Sequence, residues 1–127
     1  MLLAEDDGEM RALIAEALTR DGYEVVEVAD GEQLLDRIES AVRANRRHYF
    51  AVVISDIRMP RLSGMDVLAV LRCAYWRTPV ILITAFGDAE THSEALELGA
   101  AATFDKPFDL DELRRAVHQA VSSTSCW

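Results

Sequence analysis

The sequence predicts a single α/β domain built around a parallel sheet of five strands. Its 127 residues suit one domain, and a composition of 50% hydrophobic and 28% charged residues is ordinary for a globular chain. Short apolar runs alternate with segments in which apolar residues recur every three or four positions, the pattern of strands alternating with amphipathic helices. This alternation favours βαβ units with right-handed crossovers and helices on both faces of the sheet.

The first strand is expected at residues 2–4, a short apolar run that ends before three acidic residues. The helix after it begins near Gly8 and ends at the Asp21-Gly22 turn, and we expect Asp7 to cap its N-terminus. Its apolar residues recur at i, i+3, i+4, i+7 and i+8 and so form one stripe. These residues are Met10, Leu13, Ile14, Ala17 and Leu18.

The remaining elements follow the same alternation. The second strand is expected at 23–28 and its helix from Gly31 to about residue 47, with apolar residues again at helical spacing. The third strand, 50–55, contains a continuous apolar run at Val52, Val53 and Ile54, as in strands covered on both faces. The fourth and fifth strands are expected at 79–84 and 101–104. Helices at 65–75, 89–98 and 110–121 complete the pattern, and Gly99 stands where the fourth helix needs a C-terminal cap.

Charge and hydropathy exclude several classes of function. The formal net charge is −9, from 13 basic and 22 acidic side chains, and it repels phosphate backbones, so we expect no direct nucleic-acid binding. The apolar runs are far shorter than the roughly 20 residues of a membrane span, and the N-terminus lacks a signal-peptide pattern. We therefore expect a cytoplasmic protein without membrane association. Cys73 and Cys126 have neither metal-site nor disulfide-framework spacing.

Polar side chains stand at the ends of four strands, and the carboxyl ends of parallel strands share one edge, where ligands bind. Glu5, Asp6 and Asp7 follow the first strand, Ser55 and Asp56 end the third, Thr84 ends the fourth, and Asp105 and Lys106 follow the fifth. The topology therefore predicts that carboxylates, a hydroxyl and an ammonium group meet at one edge.

This set of groups indicates phosphoryl transfer. Glu5 and Asp6 beside Asp56 would raise one another's pKa unless a cation lay among them, and Mg²⁺ binds such oxygen ligands. A cis bond between Lys106 and Pro107 would direct the lysine over the edge, and the hydroxyl of Thr84 is placed to donate to a phosphoryl oxygen. Asp56 is then a carboxylate nucleophile surrounded by groups that stabilise negative charge.

Four segments, in order, carry a resemblance to a known family. They are LLAEDD at 2–7, SDIRMPRLSGMD at 55–66, PVILITAFGD at 79–88 and LGAAATFDKPFD at 98–109. Together they resemble the receiver domains of two-component response regulators, the CheY-like superfamily, over essentially the whole chain. The resemblance implies a three-layer, doubly wound, flavodoxin-like (βα)5 fold with strand order 2-1-3-4-5. We expect the receiver domain at 1–121 and a short polar tail at 122–127.

The resemblance also implies roles for individual residues. Asp56 looks like the phospho-acceptor, Thr84 like the switch hydroxyl and Lys106 like the phosphate-binding lysine. Mg²⁺ would be bound by the acidic pair and the acceptor, with Asp6 the closer ligand of the pair, and by one main-chain carbonyl. These metal ligands are Glu5, Asp6, Asp56 and the carbonyl of Arg58.

The same resemblance implies a signalling mechanism. A sensor histidine kinase or a phosphotransfer protein donates the phosphoryl group from a phosphohistidine, and the acyl phosphate is later hydrolysed within the same site. The domain would thus catalyse its own phosphorylation and slow dephosphorylation, and no metabolic reaction. The face formed by the fourth helix, fifth strand and fifth helix would then change shape and control an output domain or a downstream protein.

Some residues depart from the receiver-domain pattern or lie outside its motifs. Thr103 stands where receiver domains usually carry an aromatic residue, and by period-two alternation we expect Phe104 to face the core instead. His48, His92 and His118 share no motif, so surface positions are expected for all three. In the loop behind the site, Gly64 is expected to allow a positive φ.

Alternative functions stay open at this point. A haloacid-dehalogenase-like phosphatase also uses an Asp nucleophile, Mg²⁺, a hydroxyl and a Lys, but it expects Asp-x-Asp, and Arg58 stands at the second position. A receiver fold that is never phosphorylated would act purely as an interaction module. The polar tail suits either a single-domain receiver or a fragment of a longer regulator.

Overall fold

The computed structural model describes residues 1–43, 50–58, 63–73, 78–85 and 89–124. Strands and helices alternate along the described chain, as the sequence predicts. They are β1 (Leu2–Ala4), α1 (Gly8–Arg20), β2 (Val26–Val28), α2 (Gly31–Arg43), β3 (Val53–Asp56), α3 (Gly64–Cys73), β4 (Val80–Thr84), α4 (Ala89–Glu97), β5 (Ala102–Asp105) and α5 (Leu110–Thr124).

The five strands form one parallel sheet in the order β2-β1-β3-β4-β5, which confirms the predicted fold class and strand order. Leu2 of β1 pairs with Val26 of β2 on one side and with Val53 of β3 on the other. The chain therefore reverses its winding direction between β1 and β3. In doubly wound sheets, ligands bind beyond the carboxyl ends of the strands at this switch point.

The core consists of two apolar layers, one on each face of the sheet, because successive strand side chains point to opposite faces. One layer packs β-strand residues such as Leu82 against α2, α3 and α4, and the other packs residues such as Ile83 against α1 and α5. Every residue of β3 and β4 is buried, so the expectation of a central strand covered on both faces is confirmed.

Helix caps predicted from the sequence are present on α1 and α4. The carboxylate of Asp7 accepts hydrogen bonds from the main-chain N–H groups of Glu9, at 3.0 Å, and Met10, at 3.4 Å. Gly99 has a φ of 87° and its N–H donates to the carbonyl of Leu96 at 2.9 Å. This left-handed residue ends α4 as a C-terminal glycine cap does.

Some element boundaries differ from the sequence expectations. β2 begins at Val26 rather than at residue 23, because its one neighbour, β1, has three residues and cannot pair with a longer strand. α5 continues to Thr124, beyond the predicted end at residue 121, and the division into a domain and a tail stays a prediction. The predicted end of α2 near residue 47 lies outside the described residues. No helix in the described part of the chain has the length and apolar character of a membrane span.

Candidate functional site

Four polar residues lie at the carboxyl edge of the sheet near the switch point. Glu5 follows β1, Asp56 ends β3, Thr84 ends β4 and Lys106 follows β5. The first three are nearly inaccessible to solvent, with exposed fractions of 1%, 4% and 1%. Burying ionisable groups costs free energy unless they are paired, so the partners of these groups define the site.

Lys106 makes two short ion pairs within the site. Its Nζ donates to Oε1 of Glu5 at 2.7 Å and to Oδ2 of Asp56 at 2.8 Å. Burial acts to lower the pKa of Lys106, but the hydrogen bonds and negative charges of Asp56 and Glu5 outweigh it and raise the pKa. A positive charge therefore stays beside the Asp56 carboxylate at neutral pH. The Lys106–Pro107 peptide bond is cis.

The acidic residues form a compact cluster. Glu5, Asp6 and Asp56 each offer one carboxylate oxygen, and these oxygens lie within 4.8 Å of one another. Burial, together with the neighbouring carboxylate of Asp56, raises the pKa of Glu5 to about 7, although Lys106 opposes this. Oε2 of Glu5 is buried and has no hydrogen-bond partner among the described residues. A buried, unpartnered oxygen beside two other carboxylates fits a hard divalent cation such as Mg²⁺.

Two hydrogen bonds hold the Asp56 carboxylate and the main chain of Glu5 in place. The N–H of Arg58, two residues beyond Asp56, donates to Oδ1 of Asp56 at 3.3 Å. Arg11 of α1 donates to the carbonyl of Glu5 at 2.8 Å and lies 3.6 Å from the carboxylate of Glu27. The sequence reasoning missed Arg11, which connects α1 to the end of β1.

Gly64, the first residue of α3, packs directly behind the end of β3. Its N–H donates to the carbonyl of Ile57 at 2.9 Å. A Cβ at this position would lie 2.5 Å from the carbonyl oxygen of Asp56 and 3.1 Å from Oγ of Ser55. The expectation of a positive φ at Gly64 is wrong. A glycine is needed here because no side chain fits against the Asp56 main chain.

Thr84 ends β4, the strand next to the one that ends at Asp56. In the sheet register, Asp56 pairs with Ile83, and Thr84 pairs with Asp105 of β5. The carbonyl of Thr84 also accepts a hydrogen bond from the N–H of Lys106 at 2.7 Å. The residues that the sequence assigned to the hydroxyl and the ammonium group are therefore joined through their main chains.

His92 is partly exposed, and its contacts with β5 were not predicted from the sequence. Its side chain has an exposed fraction of 28%, with Nδ1 2.7 Å from Oγ1 of Thr103 and Nε2 3.0 Å from Oδ1 of Asp105. The sequence signal is the pair of polar residues two positions apart in β5, which share one face of the strand. His118 is exposed, as predicted, and His48 lies outside the described residues.

The position expected for Phe104 is confirmed. Phe104 packs in the layer with α1 and α5, and its ring centroid lies 6.3 Å from that of Phe108. Thr103 and Phe104 therefore face opposite sides of the sheet, as period-two alternation predicts.

A family model described as the response regulator receiver domain matches residues 1–118. The chain belongs to this family. The receiver domain is 33% identical over 117 residues to sporulation initiation phosphotransferase F of Bacillus subtilis, covering 92% of the chain and 89% of that protein. It is similar in structure to the receiver domain of the Francisella response regulator 1452, with a TM-score of 0.87, 29% identity and coverage of 97% and 96%.

Two longer relatives match over part of their length. The receiver domain is 35% identical over 127 residues to the transcriptional regulatory protein CpxR of Escherichia coli strain K12, covering 100% of the chain and 50% of that protein. It is 36% identical over 130 residues to the regulatory protein AtoC of the same strain, covering 98% of the chain and 26% of that protein. The chain thus spans half or less of these two regulators.

Proposed function

We propose that this receiver domain accepts a phosphoryl group on Asp56 in a two-component signalling system. The observation that carries the proposal is the placement of the buried Asp56 carboxylate, 2.8 Å from Nζ of Lys106 and within the three-carboxylate cluster. A buried carboxylate that combines an ammonium partner with neighbouring acids suits a nucleophile whose product carries additional negative charge.

Each side chain of the site has a separate role in the phosphoryl transfer. An oxygen of Asp56 attacks the phosphorus of a phosphohistidine, the P–N bond breaks, and an acyl phosphate forms. Lys106, whose pKa is raised, stays cationic and neutralises charge on the phosphoryl oxygens. The hydroxyl of Thr84, at the end of the adjacent strand, donates to another phosphoryl oxygen. Attack by water on the phosphorus later breaks its bond to the Asp56 oxygen, which releases inorganic phosphate and returns Asp56 to its carboxylate form.

The acidic cluster is the proposed metal site. Glu5, Asp6 and Asp56, with the main-chain carbonyl of Arg58, would hold Mg²⁺. When bound, Mg²⁺ would neutralise charge on the phosphoryl group as a Lewis acid. The buried Oε2 of Glu5, which lacks a partner among the described residues, supports this proposal.

The partners proposed follow from the family. A sensor histidine kinase or a phosphotransfer protein would supply the phosphoryl group in the cytoplasm. The face formed by α4, β5 and α5 would change shape and control an output domain or a downstream protein. The names of CpxR and AtoC describe regulatory proteins, and the chain covers 50% and 26% of their lengths. This supports a receiver domain that controls an output domain or a downstream protein.

Intact mass spectrometry after treatment with acetyl phosphate and Mg²⁺ tests the acceptor. We expect one phosphoryl adduct in the wild type, no adduct in Asp56→Asn, and no adduct when EDTA is present. The control Asp36→Asn changes an exposed carboxylate of α2 and should keep the adduct. A full adduct in Asp56→Asn would contradict the assignment.

The same samples separate the alternatives. Absence of an adduct in the wild type would favour a receiver fold that acts only as an interaction module. Sustained hydrolysis of small phosphate esters would favour a haloacid-dehalogenase-like phosphatase. For a receiver, we expect a single acyl phosphate that decays without turnover of such esters.

A further inference from the structure

We propose that His92 is a positioning residue that couples the Lys106 end of β5 to α4, so that phosphorylation of Asp56 reaches α4 through an imidazole side chain. This inference rests on the proposed function of Asp56. It assigns a specific route between the acceptor site and the face that the family uses for output.

The imidazole of His92 connects one helix to two positions of one strand. Nδ1 lies 2.7 Å from Oγ1 of Thr103, and Nε2 lies 3.0 Å and 3.2 Å from the two carboxylate oxygens of Asp105. Thr103 and Asp105 are two residues apart in β5, so both face α4. Both ring nitrogens are therefore bonded to the same strand.

The contact persists in both protonation states of the ring. An ionised carboxylate only accepts hydrogen bonds, so Nε2 carries a proton that it donates to Asp105. In the neutral ring, Nδ1 accepts a hydrogen bond from the hydroxyl of Thr103, and in the cation it donates to the same oxygen. The two hydrogen bonds are therefore compatible with either form of the ring.

The strand positions that His92 contacts adjoin the acceptor site. Asp105 directly precedes Lys106, and it pairs with Thr84 across the sheet. Lys106 in turn contacts Asp56 through Nζ and Thr84 through its main-chain N–H. A phosphoryl group on Asp56 replaces the carboxylate oxygen that Lys106 contacts. The resulting movement at the end of β5 is transmitted through Asp105 to His92.

The other contacts that hold α4 explain why its contact with β5 through His92 matters. Ala95 is the one buried residue of the helix, and Leu96 is 63% exposed. Burial of an alanine contributes little apolar area, so the hydrophobic effect holds α4 weakly. At the C-terminal end, Arg72 of α3 donates to the carbonyls of Leu98, at 3.0 Å, and Gly99, at 3.2 Å. Polar contacts therefore set much of the position of α4.

Main-chain NMR on the phosphorylated protein tests the coupling. Chemical shifts of the α4 amides from Glu94 to Glu97 are compared before and after treatment with acetyl phosphate and Mg²⁺, and intact mass gives the extent of phosphorylation in the same sample. For His92→Ala at full phosphorylation, we expect the shift changes in α4 to be at least about twofold smaller than in the wild type. Twofold is near the low end of what one residue on a coupling route contributes.

Three further variants separate coupling from a merely structural role. His92→Gln keeps a donor for Asp105 and should restore part of the α4 response. Thr103→Val removes one hydroxyl without changing the side-chain shape, and it gives an intermediate loss even if His92→Ala fails to fold. The control His118→Ala removes an exposed histidine of α5 and should leave the α4 response unchanged.

The outcomes distinguish this inference from the proposed function. Wild-type α4 responses in both His92→Ala and Thr103→Val, with full phosphorylation, would overturn the role of His92 and leave Asp56 as the acceptor. A Gln variant no better than the Ala variant would also overturn the proposed contact through Asp105. Absence of the adduct in the wild type itself would overturn the proposed function and the coupling with it.

Discussion

Replacing Gly64 by alanine should damage the proposed acceptor site through a single added methyl group. The new Cβ would lie 2.5 Å from the carbonyl oxygen of Asp56, and ordinary contact begins at 3.4 Å, so either the carbonyl or α3 must move by about 1 Å. Overpacking of this kind costs about 1–3 kcal/mol of the free energy of unfolding. A displacement of about 1 Å at a reacting group can lower a rate by roughly 100-fold.

Two measurements check this prediction. Urea unfolding gives the change in the free energy of unfolding, and the rate of adduct formation with acetyl phosphate and Mg²⁺ gives the effect on the acceptor under conditions where both proteins are folded. The control is Gly8→Ala, because a Cβ at Gly8 meets only the end of the Arg11 side chain, at 3.8 Å. An unfolding free energy within about 0.5 kcal/mol of the wild type, with an unchanged rate, would refute the steric role of Gly64.

Further predictions concern the charge of Glu5 and the cap of α1. Because folding raises the pKa of Glu5 from 4.5 to about 7, the folded state binds more protons in this range, and without metal its stability should fall as pH rises between these values, by up to about 3 kcal/mol. Urea unfolding with EDTA should show this slope in the wild type and a smaller slope in Glu5→Gln; equal slopes would contradict the assignment. Asp7→Ala removes the acceptor for two N–H groups and should cost about 1 kcal/mol in the same assay, whereas Asp7→Asn, which keeps an acceptor, should stay near the wild type. Equal losses in the two variants would show that the cap does not act through hydrogen bonding.

Much of the fold could be predicted from local sequence patterns. The cap at Asp7, the glycine cap at Gly99 and the core position of Phe104 each depend on residues close in sequence and on the fixed periods of helices and strands. The boundary of β2 was less accessible because it depends on the length of β1, a partner distant in the chain. Local patterns therefore give the type of an element more reliably than its ends.

The candidate site was predicted in outline for a topological reason. Parallel strands place their carboxyl ends at one edge, so Glu5, Asp56, Thr84 and Lys106 could be grouped without coordinates. The pKa values and ion pairs of these groups could not be predicted in the same way. The raised pKa of Glu5 depends on burial and on the separation of groups about 50 or 100 positions apart in the chain, which the tertiary structure alone determines.

The alternation of strands and helices, the absence of long apolar or basic segments, and the residue types at the edge of the sheet all follow from the sequence alone. Which groups touch one another depends on the tertiary structure. The packed fold pairs Lys106 with both Glu5 and Asp56, places Gly64 against the Asp56 main chain, and joins His92 to β5. The physical reason is that periodicity and propensity act over a few residues, whereas hydrogen bonds, burial and steric exclusion act between atoms that only the packed sheet and helices bring together.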